Sequence, residues 1–312
     1  MCGIAGIHLR DESLVPQLGS LMHAMVEGIE VRGPDSAGVA IYGDRERLPE
    51  DYSSVSVLNA PENLKELVSE KLPDADVTTE DFADTTFVRA KVKSVELSKV
   101  VAEVAPEAIS IGTGDDSVVY KGVGNPLDLR ETYRLADATG WQGVIHTRLA
   151  TESAVDAEGA HPYTAGTGLS IVHNGSFANH ATIRRELQDE GVEFNSENDT
   201  EVAARYIAYR MKEKGEDLHT AIEALSETFD GFYTLLVTTE DSFAVVRDEY
   251  ACKPVIIAEH PQWVAMASEF QAIAHVPGME DAKIFAPGPK KVYTWKREQR
   301  PRLKLIWQKS PC

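Results

Sequence analysis

Cys2 stands directly behind Met1. Removal of Met1 would leave its thiol beside its own α-amine, whose ordinary pKa of about 7.7–8.0 suits proton exchange near neutrality. That is the logic of an N-terminal nucleophile: the base belongs to the backbone, and no separate histidine is required. A cysteine at this position also suits a small, buried strand residue. Its chemical meaning therefore depends on what else the chain carries.

Four further tracts bear on it. His146-Thr147-Arg148-Leu149-Ala150-Thr151 follows a strand-like run and sets an arginine between two hydroxyl residues. His173-Asn174-Gly175 follows a second such run, and Glu197-Asn198-Asp199-Thr200-Glu201 opens a helical pattern. Arg32-Gly33-Pro34-Asp35-Ser36-Ala37-Gly38 opens a strand. Taken singly, they also read as a surface arginine, an Asn-Gly turn, a helix cap and a tight turn.

Together, and in this order behind Met1-Cys2-Gly3, the tracts resemble the glutaminase domain of class II glutamine amidotransferases. These are the N-terminal-nucleophile amidotransferases of glucosamine-phosphate synthase, amidophosphoribosyltransferase, asparagine synthetase and glutamate synthase. The resemblance runs from Cys2 to about Glu269, with little contribution from residues 44–139. It implies that Cys2 attacks the side-chain amide of glutamine, with the freed α-amine as proton acceptor. Asn174, through its side-chain amide, and Gly175, through its backbone N–H, would form the oxyanion hole, where each donor contributes about 2.7–4 kcal/mol to the transition state. Arg148 would grip the glutamine α-carboxylate with its planar fork of donors, and Asp199 would meet the α-ammonium. Thr151 and His161 match positions lining the same pocket, and Arg32 matches the turn beside the nucleophile.

The chain departs from the family pattern at three places. Leu149 stands where the aminosugar synthases have Trp, Glu152 replaces a His after Thr151, and Ala251 replaces a Gly in Arg247-Asp248-Glu249-Tyr250-Ala251-Cys252-Lys253-Pro254. None touches the nucleophile or the oxyanion donors, and they argue against an aminosugar or purine enzyme. The His146 tract continued through Val155, the Glu197–Val202 tract, Asp230-Gly231-Phe232-Tyr233 and the long acidic segment resemble one subgroup. It comprises the stand-alone glutaminase subunits of split glutamate synthase and N-methylglutamate synthase. That likeness implies L-glutamine as substrate and a glutamate-synthase-like partner subunit. It places no cofactor on this chain; FMN, with an iron–sulfur centre as a further option, is expected on the partner. No Ser-Gly-Gly-x-Asp-Ser pyrophosphate loop, GxGxxG or Walker tract occurs, so the acceptor half-reaction is expected elsewhere. Two other readings stay open: a free-standing γ-glutamyl amide hydrolase, and a glutamine-binding regulatory subunit without turnover.

The elements that must position these residues follow from periodicity. Strands are expected at 3–8, 38–42, 143–146 and 169–173, and helical spacing runs from Leu14 to Ile29 with Ser13 as a candidate N-cap. Residues 44–139 form an acidic stretch with a helical patch at 64–72 and strands near 86–92 and 117–120, read as an inserted or elaborated segment. Helices near 182–190, 200–214 and 218–228 precede a strand-rich end, with strands at 232–239, 243–248, 255–259, 263–267, 291–295 and 303–307. Strands, helices and strands again predict a layered α+β fold in which sheets pack face to face between helices. The resemblance specifies it as a four-layer αββα sandwich of the N-terminal-nucleophile hydrolase type, a single domain over 1–312.

Composition agrees with that picture. The chain has 312 residues, 43% of them hydrophobic, enough for a large core. Thirty-one Lys and Arg against 50 Asp and Glu give a net charge of −19, which repels nucleic-acid backbones and anionic lipid surfaces. Three cysteines make no disulfide framework, and the start lacks the basic lead and apolar core of a secretory signal, so a cytoplasmic location is expected. No metal site is expected, because His8, His23, His180, His219, His260 and His275 lack ligand spacing. Cys252 reads as a small buried residue, Cys312 as a terminal thiol, and Trp263, Trp295 and Trp307 as core or interface aromatics.

Overall fold

Two antiparallel sheets face each other across an apolar interior in the computed structural model, which describes residues 2–149, 156–166 and 168–297. The first has seven strands in the order Lys283–Phe285, Ile256–His260, Trp263–Ala267, Gly3–Leu9, Gln142–Arg148, Ser36–Tyr42 and Ser117–Val123. The second has five: Tyr293–Lys296, Ser242–Arg247, Gly231–Thr238, Leu169–Phe177 and Tyr163–Ala165.

The alternation of side chains along each strand decides what each face meets. In Gly3–Leu9, Ala5, Ile7 and Leu9 point to the outer helical layer, while Ile4 enters the core between the sheets. Gly6 shares that inner face, where a Cβ would lie 2.5 Å from Leu236, so only glycine lets the sheets approach so closely. Val172, Leu236 and Val245 supply the inner face of the second sheet. Both faces of both sheets are covered, which is why the strands read as near-continuous apolar runs.

Helix Leu18–Ile29 covers the first sheet with Leu18, Leu21, Met22, Met25, Val26 and Ile29. Helices His180–Asp189, Asp199–Glu213 and Leu218–Thr228 cover the second. The result is a four-layer αββα sandwich, the α+β architecture expected, and the strand-rich end completes both sheets.

The structure corrects several local expectations. Ser13 caps no α-helix; a 3-10 turn, Glu12–Gln17, comes first, with the Asp11 carboxylate accepting from the Ser13 N–H at 2.9 Å. Pro16 sits inside that turn, and regular helix starts only at Leu18, without a side-chain cap. Cys252 is exposed, not buried. The strand expected at 303–307, with Trp307 and Cys312, lies outside the described residues.

Within 44–139, a separate four-stranded sheet forms in the order Thr78–Phe82, Thr85–Ala90, Ser53–Leu58 and Ile109–Gly114. Helices Leu64–Lys71 and Ser94–Val104 pack on it around Val55, Val57, Val68, Val88 and Leu97. The chain then returns to the edge of the first sheet as Ser117–Val123, paired with Ser36–Tyr42.

Candidate active site

Cys2 is half-buried at the head of the Gly3–Leu9 strand, where Gly3 pairs in register with Thr147. A Cβ on Gly3 would fall 2.5 Å from Thr147 Oγ1 and 2.9 Å from Ile29, so the chain end can lie in this groove only with a glycine there. Thr147 Oγ1 donates to the Ile29 carbonyl at 3.0 Å and holds the end of the first helix against the strand. Arg32 donates from Nε to the Cys2 carbonyl at 3.1 Å, and its Nη1 pairs with Glu269.

Asn174 and Gly175 lie not in a turn but within the strand Leu169–Phe177, opposite Thr234 and Tyr233. Gly175 has φ +148°, and a Cβ there would collide with the Phe232 carbonyl. This is the backbone position that demands glycine. Asn174 is 3% exposed, and its Nδ2 has no hydrogen-bond partner among the described residues. Burying an amide donor without an acceptor costs about 1–3 kcal/mol, a penalty that a ligand oxygen would remove.

Cys2 and this amide are tied across the two sheets. His146 pairs with Ile4 in the first sheet, and its Nε2 donates to the carbonyl of His173 in the second at 3.1 Å. Cys2 is two residues before Ile4, and Asn174 directly follows His173.

Arg148 ends the Gln142–Arg148 strand, largely buried, with its carbonyl accepting from the Asp35 N–H at 3.1 Å. A Cβ on Gly159 would come within 2.9 Å of Arg148 Nη1, so that loop packs onto the guanidinium. Asp199 is the first residue of its helix, where the exposed N–H groups favour a carboxylate. Its Oδ2 accepts from the Phe177 N–H at 2.9 Å, which fastens it to the strand of Asn174. Asn198 caps the helix by accepting from the Thr200 N–H at 2.8 Å. The buried Glu201 carboxylate accepts from the Asn195 and Ser196 N–H groups at 2.9 and 2.8 Å, shaping the loop before it.

His161 belongs to a buried trio with His146 and His173: its ring stacks on His146 at 4.2 Å and lies edge-on to His173 at 6.4 Å. Burial pushes His146 down to about 3 and holds His161 well below the usual histidine range. Burial also lowers His173, against the opposing pull of Asp199. Burial thus shifts all three towards the neutral form.

The structure thus groups Cys2, Arg32, Arg148, His161, Asn174, Gly175 and Asp199 around the facing ends of three strands and a helix. Thr151, the remaining predicted pocket residue, lies outside the described residues. Sequence reasoning did not single out Lys121 or Thr200. Lys121 is buried, with Nζ 4.5 Å from the centre of the Tyr163 ring, and burial lowers it to about 7. The signal was present in Ser117–Val123, where it is the one charged residue of an apolar strand. Among the described residues, no three His, Cys, Asp or Glu side chains are grouped to hold a metal ion. No helix there is long and apolar enough to cross a membrane. A cleft of about 1510 Å³ opens between helices Ser94–Val104 and Asp199–Glu213 and includes none of these residues.

The Cys2 thiol, a buried unpaired amide donor, the buried Arg148 and the half-buried Asp199 form the inventory that acyl transfer from an amide needs. The comparisons with known proteins agree. A family model described as a glutamine amidotransferase domain matches residues 146–275. The chain is 40% identical over 303 residues to the glutamine amidotransferase-like protein GlxB of Rhizobium meliloti (strain 1021), covering 96% of this chain and 99% of that one. It is 30% identical over 309 residues to a putative glutamine amidotransferase of Methanothermobacter thermautotrophicus, covering 94% and 99%. Among solved structures, it is similar to the allosteric regulatory enzyme of purine biosynthesis, with a TM-score of 0.61 at 17% identity, covering 96% of this chain and 49% of that one. At that identity the likeness shows the fold alone.

Proposed function

Because the chain belongs to the class II glutamine amidotransferases, we propose that it is a glutaminase subunit that hydrolyses the side-chain amide of glutamine through a thioester on Cys2. With Met1 removed, the α-amine takes the thiol proton and the thiolate attacks the amide carbon. The resulting oxyanion is met by Asn174 Nδ2 and the Gly175 N–H. Collapse breaks the C–N bond, the leaving nitrogen takes the proton from the α-ammonium, and ammonia departs. Water, deprotonated by the same amine, then cleaves the thioester to glutamate.

Arg148 and Asp199 clamp the α-carboxylate and α-ammonium of the substrate, with His161 and Thr151 along the pocket and Arg32 holding the nucleophile's peptide. The single observation that carries this reading is the buried Asn174 amide, a donor without an acceptor beside the Cys2 strand.

The ammonia goes to a glutamate-synthase-like subunit, which would carry the FMN. The whole chain is one amidotransferase domain, and its surplus over the catalytic tracts, residues 44–139 or the strand-rich end after Glu269, is the docking surface. The test is ammonia release from glutamine by the chain alone and copurified with the neighbouring synthase subunit. A rise on complex formation supports the subunit reading. Equal activity without a stable complex leaves the free-standing hydrolase.

A further inference from the structure

The Thr200 hydroxyl lies at the centre of three side chains. It is 2.9 Å from His161 Nε2, 2.9 Å from His173 Nδ1 and 3.2 Å from Asp199 Oδ1. Thr200, His161 and His173 are all buried, so water does not compete for these contacts. His173 precedes Asn174, and Asp199 precedes Thr200. The hydroxyl therefore lies between the prospective oxyanion donor and the prospective head-group carboxylate.

A hydroxyl has one proton to give and two lone pairs to accept with. The carboxylate can only accept, so the Thr200 proton goes to Asp199 Oδ1. Both lone pairs then face ring nitrogens, and each of these must carry a proton. His161 is fixed as the Nε2–H tautomer and His173 as the Nδ1–H tautomer. The opposite choice for His173 would aim a nitrogen lone pair at Asp199 Oδ1, 3.8 Å away. His146 obeys the same rule, since its Nε2 meets a carbonyl that can only accept.

We propose that Thr200 is a positioning residue of this site: through one hydroxyl it locks the tautomers of His161 and His173 and joins Asp199 to the strand that carries Asn174. The proposal rests on the glutaminase reading for its effect on turnover, but not for its effect on the histidines. The charged groups facing the trio are Asp199, Arg148, Lys121 and Lys253.

Nitrogen-15 NMR of the histidine side chains in the full-length chain tests the lock without any assay. In their neutral state His161 should show only the Nε2–H form and His173 only the Nδ1–H form. Thr200→Val keeps the shape and removes the hydroxyl. It should mix the tautomers, lower kcat for glutamine hydrolysis by about ten- to a hundredfold and raise KM, because the two ends of the site lose one of their two links. Thr200→Ser should restore single tautomers and stay within about threefold of wild type. A wild-type His173 protonated on Nε2 would overturn the proposal. So would a folded Thr200→Val protein with unchanged tautomers, kcat and KM. Should Thr200→Val not fold, the wild-type and Thr200→Ser spectra still decide. A wild-type chain with the stated tautomers but no glutamine hydrolysis would support the lock and reject the glutaminase reading.

Discussion

Arg32 reaches across 30 positions of sequence to donate from Nε to the carbonyl oxygen of Cys2, while its Nη1 pairs with Glu269. The bond fixes the peptide plane that follows the thiol. Under the proposed reading Cys2 is a nucleophile with neighbours on one side only, so such a restraint sets where its sulfur lies.

Arg32→Lys keeps the charge but loses the planar fork that serves Cys2 and Glu269 together. A misplacement of about 1 Å costs up to about a hundredfold, so kcat for glutamine hydrolysis should drop by about ten- to a hundredfold with little change in KM. Steady-state kinetics on the folded variant check this. A rise in KM alone would make Arg32 a substrate-binding residue instead.

If Asn174 is the oxyanion donor proposed, Asn174→Ala should lower kcat by about 10²–10³. Glutamine affinity should change far less, because the donor is needed most in the transition state. The split between kcat and KM decides the matter, and a large KM effect at constant kcat would contradict the assignment.

Ala251 occupies a left-handed conformation at φ +51°, at the position where the family pattern has glycine. A non-glycine residue there costs about 1–2 kcal/mol, partly offset because glycine loses more freedom on folding. Ala251→Gly should therefore raise unfolding stability by up to about 1 kcal/mol. Urea denaturation measures it, and a lower midpoint would show that the backbone there is not strained.

Much of the candidate site was legible because its residues sit in short tracts at element ends, in a recognisable order. The strand placement of Asn174-Gly175 was not, since the pair is also a turn signal; only the cross-strand approach of Phe232 shows why glycine is needed inside a strand. The Thr200 hub was hidden for a different reason. A threonine in the first turn of a helix reads as a local cap, and nothing in sequence spacing brings residues 161 and 173 onto it. Ser53–Leu58 was missed because its serines look unlike a core strand, yet Ser53, Ser54 and Ser56 are all buried, and Ser54 donates to the Ser117 carbonyl at 2.6 Å.

Acid should unfold the protein through its buried histidines. Burial holds His146 at about 3 and His8 at about 4, whereas an unfolded histidine titrates near 6.5. Below about pH 6.5 the unfolded chain binds protons that the folded chain refuses, so stability is whole above that pH and falls as pH drops towards about 4 and then 3. Each such histidine removes up to about 1.4 kcal/mol per pH unit in that window. Urea midpoints at about pH 7.5 and 5.5 check the sign, with the lower midpoint expected in acid.

The most direct test of the account is the intact mass of the purified chain before and after acid quenching of a reaction with glutamine. Met1 should be absent, and the quenched wild-type chain should carry one γ-glutamyl group that Cys2→Ala protein never acquires. Ammonia and glutamate should appear together in the wild-type reaction only. Full-rate ammonia release by a chain that retains Met1, or by the Cys2→Ala variant, would contradict an N-terminal nucleophile at Cys2.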